Sequence, residues 1–124
     1  MIKLTSVELI QYRAELSSNQ DALTALEMIE ECEGDLEDAA IALAIHVGQE
    51  PDRSDDWLDS LAKRWRVFLC SPEFREKLAA DSRLDAIQTL TNGTDLPGVL
   101  ATLVVVYVLQ ADTDSFCEPL EEKL

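Results

Sequence analysis

Apolar residues recur along this chain at helical spacing, and capping residues punctuate them at regular intervals. Thr5 followed by Glu8 has the spacing of a capping box, and Val7, Ile10 and Ala14 share one helical face. This predicts a first helix over about 6–16. Ser17-Ser18-Asn19 is a linker, with Asn19 the cap of a second helix over about 20–32 that carries Leu23, Leu26 and Ile29. Gly34 can take the left-handed conformation that closes a helix, and Asp35 can accept from the free N–H groups of the next one. Leu36, Ala39, Ala40, Leu43 and Val47 then form a third stripe, ended by Gly48.

Residues 49–53, QEPDR, are the candidate boundary between two units, 1–48 and 54–124. Ser54 is expected to open a fourth helix carrying Trp57, Leu58, Leu61, Ala62, Trp65, Phe68 and Leu69, the strongest amphipathic pattern in the chain. Asp55, Asp56 and Asp59 precede Lys63, Arg64 and Arg66, which complements the helix dipole, and Asp59 with Lys63 is a favourable i,i+4 pair. Ser71-Pro72 is an N-cap followed by proline at the first helical position, and Phe74 and Leu78 continue that helix. The stripe then slips out of phase at Asp81-Ser82. A further helix over Leu84, Ile87 and Leu90 should stop at Asn92-Gly93.

Residues 96–109, LPGVLATLVVVYVL, carry no charge. Val104-Val105-Val106 would suit a buried strand, but no second convincing strand exists to pair with it. A central helix buried on nearly all sides is expected instead. As a helix this stretch spans about 21 Å, short of the ~30 Å hydrocarbon core, so no membrane span is expected. The tail 112–124 is acidic, with partial order expected through Phe116 and Leu120. The predicted fold class is all-α: an N-terminal three-helix bundle packed with a second helical bundle around a buried C-terminal helix.

Composition narrows the function classes. A hydrophobic fraction of 47% with 28% charged residues is that of a globular chain. The net charge of −15 is unevenly placed. Residues 1–62 hold 15 acids against three bases, net −12; residues 63–124 hold ten acids against seven bases, net −3. Such a field repels phosphate backbones and anionic membranes and attracts basic partners. Cys32, Cys70 and Cys117 are far apart, odd in number and without a CxxC pair. They are expected to be reduced core residues in a cytoplasmic protein, and the N-terminal sequence has no signal-peptide pattern.

Candidate chemistry is sparse. The lone His46 cannot build a multi-histidine zinc site, and nothing local pairs it with a cysteine nucleophile. No phosphate loop or nucleophile elbow is present. DRSDDWLDSLAK at 52–63 fails as a calcium loop, with Trp57 at the glycine position and Lys63 at the bidentate acid. DTDSF at 112–116 fails for want of the glycine and the twelfth ligand. No catalytic, metal or cofactor residue is therefore assigned. Trp57, Trp65 and Phe68 are core-type residues, but with Arg64 and Arg66 beside them one aromatic could anchor an interface. The candidate interaction residues are Trp57, Arg64, Trp65 and Phe68.

Residues 28–43, MIEECEGDLEDAAIAL, resemble the second half of a UBA-like three-helix bundle, most closely the N-terminal domain of elongation factor Ts. That family ends its second helix with A-L-E-E-A-G-G-D-L-E-x-A and closes the next on leucine. Glu30, Glu31, Gly34, Asp35, Leu36, Glu37, Ala39 and Leu43 fit, with Ile29 for the leucine and Cys32 for the small residue. The match covers 1–48 only. Ser17-Ser18-Asn19 replaces the Met-Gly-Phe patch of ubiquitin-binding members and the factor's Gly-rich turn. Nothing after residue 48 resembles the rest of the factor, so the resemblance implies neither ubiquitin binding nor nucleotide exchange. It implies a fold and protein partners. The expected function is a non-enzymatic interaction or regulatory module with a protein partner of basic character, and association through helix four or the apolar C-terminal helix could give a homodimer. The alternative is a small-ligand-binding protein or enzyme with its site between the two units.

Overall fold

The computed structural model describes residues 3–49, 51, 57–79 and 83–121. Within them the chain is all-α, with nine helices, no strand and one isolated bridge between Lys3 and Asp35. The first three helices are α1 (Ser6–Glu15), α2 (Gln20–Glu31) and α3 (Leu36–His46). Each begins where a side chain satisfies a free helical N–H group. Thr5 and Glu8 form a reciprocal capping box on α1. Asn19 accepts from Ala22 N–H at 3.1 Å, and Asp35 accepts from Asp38 N–H at 3.1 Å.

The joint between α2 and α3 is closed by two consecutive left-handed residues, Glu33 (φ 57°) and Gly34 (φ 88°). Glu33 N–H donates to Glu30 O and Gly34 N–H to Ile29 O, the pair of bonds that defines a Schellman motif. The residue that turns the helix off is thus Glu33, one position before the glycine. Gly34 is required for a second reason. Leu4 N–H donates to its carbonyl at 2.9 Å, and a Cβ at Gly34 would lie 2.3 Å from Leu4 O. The N-terminal segment crosses the joint where only glycine leaves room. Gly48 (φ 83°) closes α3 in the same manner with open space around it.

The face of α1 differs from expectation. Val7, Ile10 and Ala14 point to solvent, with Val7 63% and Ile10 65% exposed, whereas Leu9, Tyr12 and Leu16 are buried. Both sets have helical spacing. The second carries more apolar surface, and burial of that surface decides which face turns inward. On α3, Leu36, Ala39, Ala40 and Leu43 are buried as expected, but Val47 is exposed and Ala44 completes the buried set.

Beyond the linker come α4 (Trp57–Arg64), α5 (Arg66–Leu69), α6 (Pro72–Ala79), α7 (Arg83–Gly93), α8 (Gly98–Ala111) and α9 (Thr113–Glu121). The expected fourth helix is interrupted at Trp65, leaving α5 as a separate single turn. Ser54, Asp55 and Asp56, and the predicted break at Asp81-Ser82, lie outside the described residues. Ser71 caps α6, with its Oγ accepting from Phe74 N–H. Gly93 ends α7 with the Phe68 ring against it, where a Cβ would fall 2.7 Å from the ring.

α8 is the centre of the molecule. Its residues Val99 to Val108 are all buried, and it packs on α2, α3, α4, α7 and α9. The two hydroxyls among those ten are both satisfied: Thr102 donates to Gly98 O at 2.9 Å, and Tyr107 donates to Asp59. No single helix among the described residues is long and apolar enough to cross a membrane.

The C-terminal segment is ordered at Phe116 as expected, but its cysteine is not the free thiol expected. The chain bends by 95° after α8, at Asp112 (φ 75°), and α9 folds back with Phe116 and Cys117 buried. Cys117 is joined to Cys70 by a disulfide, so two of the three cysteines are not free thiols. Arg75 pairs with Asp114 at 2.6 Å, and the Arg66 guanidinium lies 4.8 Å from the Phe116 ring centre. The side chain of Leu120 and residues 122–124 lie outside the described residues.

Two outcomes test this frame. Gly34→Ala should cost about 2 kcal/mol or more in urea unfolding, because left-handed backbone strain adds to the Leu4 contact. Gly48→Ala should cost only about 1 kcal/mol, since it carries the backbone term alone. Alkylation of the denatured, unreduced protein should label Cys32 alone by mass spectrometry. Adding a dithiol should lower stability by about 2–4 kcal/mol.

Candidate functional site

The four predicted interaction residues fall on α4, α5 and the break between them. Trp57 opens α4 and Arg64 ends it; Trp65 occupies the break, and Phe68 lies within α5. Trp57, Trp65 and Phe68 are each half-buried and packed against the core, while Arg64 is exposed. Phe68 meets Phe74 edge-on at 5.5 Å and closes over Gly93. The indole Nε1 of Trp65 and Nε of Arg66 are buried without a hydrogen-bond partner. Most aromatic surface here therefore faces inward, behind a rim of Lys63, Arg64 and one residue that periodicity did not single out. That residue is Val67, 75% exposed, the most exposed large hydrophobic side chain described. Its signal in the sequence was a branched apolar residue opposite the Trp65–Phe68 stripe, which the core does not need.

The start of α4 is held from α3. Glu37 of α3 accepts from Leu58 N–H at 2.6 Å through one carboxylate oxygen and from Asp59 N–H at 3.1 Å through the other. A carboxylate at a helix N-terminus satisfies free donors and meets the positive end of the dipole. Asp59 in turn accepts from the Tyr107 hydroxyl of α8 and pairs with Lys63 at 2.7 Å. Burial pushes Asp59 up, but the Lys63 ammonium, the Tyr107 hydroxyl and Arg66 outweigh it and hold the carboxyl below its ordinary range. These bonds fix how the α4–α5 surface is presented.

A cleft of about 210 Å³ lies between α1, α7 and α8, lined by Glu8, Gln11, Tyr12, Arg83, Leu109 and Gln110. Arg83 pairs with Glu15 at 3.3 Å and lies 5.6 Å from the Tyr12 ring centre. Arg83 Nε and Glu15 Oε1 are buried without partners. Burial raises the Tyr12 hydroxyl above its ordinary range and keeps it neutral, and its oxygen accepts from the Gln110 amide at 3.5 Å. The cleft offers donors and acceptors to a small polar molecule and holds no nucleophile.

The remaining thiol, Cys32, is half-buried at the end of α2. Desolvation and the neighbouring Asp38, Asp35 and Glu31 raise its pKa, which keeps it protonated and poorly nucleophilic. His46 is exposed on the last turn of α3. Among the described residues no group of three or more His, Cys, Asp or Glu side chains could hold a metal ion.

The lowered Asp59 pKa gives a sign for pH dependence. The stability it contributes is present above the ordinary aspartate pKa and is lost as pH falls through the lowered folded value. Asp59→Asn should therefore destabilise the protein at neutral pH and narrow its difference from wild type in acid, read by urea unfolding at both.

Comparison of the chain with protein-family models, curated proteins and solved structures finds no match, so the resemblance of residues 28–43 stands on those residues alone.

Proposed function

We propose that this chain is a non-enzymatic protein–protein interaction or regulatory module that presents the α4–α5 surface to a partner. The observation that carries the reading is Val67, exposed directly after Arg66 and three residues from Arg64, on a segment whose preceding helix is anchored at its start by Glu37. Apolar and arginine side chains over a fixed backbone are what interface anchors use. Trp57, Trp65 and Phe68 then act as the backing of the surface, each with a half-buried edge to offer. A UBA-like arrangement of α1–α3 is the scaffold that suits this role, supported by the cap at Asp35 and the glycine at the joint. The acid-rich half of the chain favours partners of basic character. A cytoplasmic setting fits less well, since disulfides such as Cys70–Cys117 persist in oxidising compartments.

The α1–α7–α8 cleft supports a second reading, a small-ligand protein, through the lining Arg83, whose Nε is buried without a partner. Its volume is below the roughly 300–1,000 Å³ of most small-molecule sites, which restricts it to a small polar compound.

Affinity capture from the native source, run with wild type and with Arg64→Ala/Val67→Asp, tests the leading reading. The wild type should retain a partner that the double variant loses by about tenfold. Both should unfold within about 0.5 kcal/mol of each other, because the substitutions are on the surface. Light scattering decides whether that partner is a second copy: a dimer at high micromolar concentration should vanish in the variant. Equal capture by both proteins overturns the reading. A compound that stabilises wild type but not Arg83→Gln in a thermal-shift screen would replace it.

A further inference from the structure

The end of α2 carries charge of the wrong sign for its position. The C-terminal end of a helix dipole is negative, and cations are favoured there. α2 instead places Glu27, Glu30 and Glu31 in its last turns with no basic residue among them. Glu30 is answered by Arg13 of α1. Glu27 and Glu31, four residues apart on one helix face, have no cationic partner among the described residues, and a like-charge pair at that spacing is destabilising. Local rules broken without compensation inside the fold are expected where a ligand supplies it.

What adjoins these carboxylates is an apolar groove. A depression of about 190 Å³ runs between α2 and α3, lined by Thr24, Glu27, Met28 and Glu31 on one side and Leu43 and His46 on the other. Most of its accessible lining is carbon. Leu43 forms its buried floor and Met28, half-buried, its adaptable wall. The exposed Val47 stands one turn beyond Leu43 and extends the apolar surface past the end of the groove. The volume suits an inserted side chain better than a cofactor. A lone metal ion would meet the carboxylates and leave the apolar floor without a role.

We propose that the α2–α3 groove docks a basic amphipathic helix of a partner protein. One aliphatic side chain of that helix seats against Met28 and Leu43. Two Lys or Arg side chains one helical turn apart meet Glu27 and Glu31, whose own separation along α2 is about 6 Å. This is the helix-in-groove mode of recognition with charge complementarity at the rim. The inference rests on the reading of the chain as a binding module. It concerns a different face from α4–α5, so the two can fail separately.

The test uses the full chain and a capped synthetic peptide of about 16 residues, long enough to form a helix, with Leu on one face and Lys at two positions four apart. Fluorescence anisotropy at low salt should show binding. Glu27→Lys/Glu31→Lys should weaken it about tenfold and favour a peptide with Glu in place of Lys. Glu73→Lys/Glu76→Lys, on the exposed face of α6, makes the same change in net charge and should alter affinity less than about twofold. Replacing the peptide's central Leu by Ser should also abolish binding, and Val67→Asp should leave it unchanged whatever becomes of the α4–α5 surface. Four results overturn the proposal: no binding at millimolar peptide, equal loss in the two double variants, indifference to the Leu→Ser peptide, or equal displacement by a simple polyamine. Circular dichroism confirms that every variant is folded.

Discussion

The structure depends on the burial of α8. A helix with ten consecutive buried residues needs neighbours on every side, and a chain of this length can supply them only by committing nearly all its other helices to the task. α2 and α3 cover one side, α4 and α7 others, and α9 doubles back over its end. Each of those helices therefore needs just one apolar stripe, and their outer faces are released to polar residues. One continuous core results, with residues on both sides of the 49–53 linker.

A shared core does not by itself set the angle at which elements approach, and the polar contacts supply that. Glu37 reaches from α3 to the amides of Leu58 and Asp59 at the start of α4, and Tyr107 reaches from α8 to the Asp59 carboxylate. The disulfide, the Arg75–Asp114 pair and the Arg66–Phe116 contact together hold α9 where Asp112 turns it. Exposed ion pairs contribute only about 0–1 kcal/mol each. Their part is to select one arrangement among several that would bury α8 equally well.

Local chemistry made much of this legible from sequence, and the illegible remainder is tertiary. Thr5, Asn19, Asp35 and Ser71 were readable as caps because a cap acts within three residues of itself. The central helix was readable because fourteen residues without a charge have few alternatives. The inward face of α1 was not, since Val7-Ile10-Ala14 and Leu9-Tyr12-Leu16 have similar periodicity and only the neighbours choose between them. The Cys70–Cys117 link spans 47 residues and was masked by the odd third cysteine, which the fold leaves half-buried and protonated. The break at Trp65 left no mark in the amphipathic pattern, because α5 resumes the same stripe. At the candidate surface Arg64 was legible as a charged neighbour of aromatics. Val67 was not, because it lies outside the stripe that drew attention to the segment.

The distribution of charge follows from the same division of labour. Arg13, Arg75, Lys77 and Arg83 each join two different helices, α1 to α2, α6 to α9, α6 to α7 and α7 to α1, and Lys63 braces α4 internally. In a chain with ten bases and 25 acids, the fold consumes much of the positive charge and leaves the negative charge outside. The acidic surface is thus partly a residue of folding, and an acidic patch alone carries little meaning. What distinguishes Glu27 and Glu31 is position: without a cationic partner among the described residues, on the negative end of a helix, beside an apolar groove. Those three conditions coincide there, and packing requires none of them.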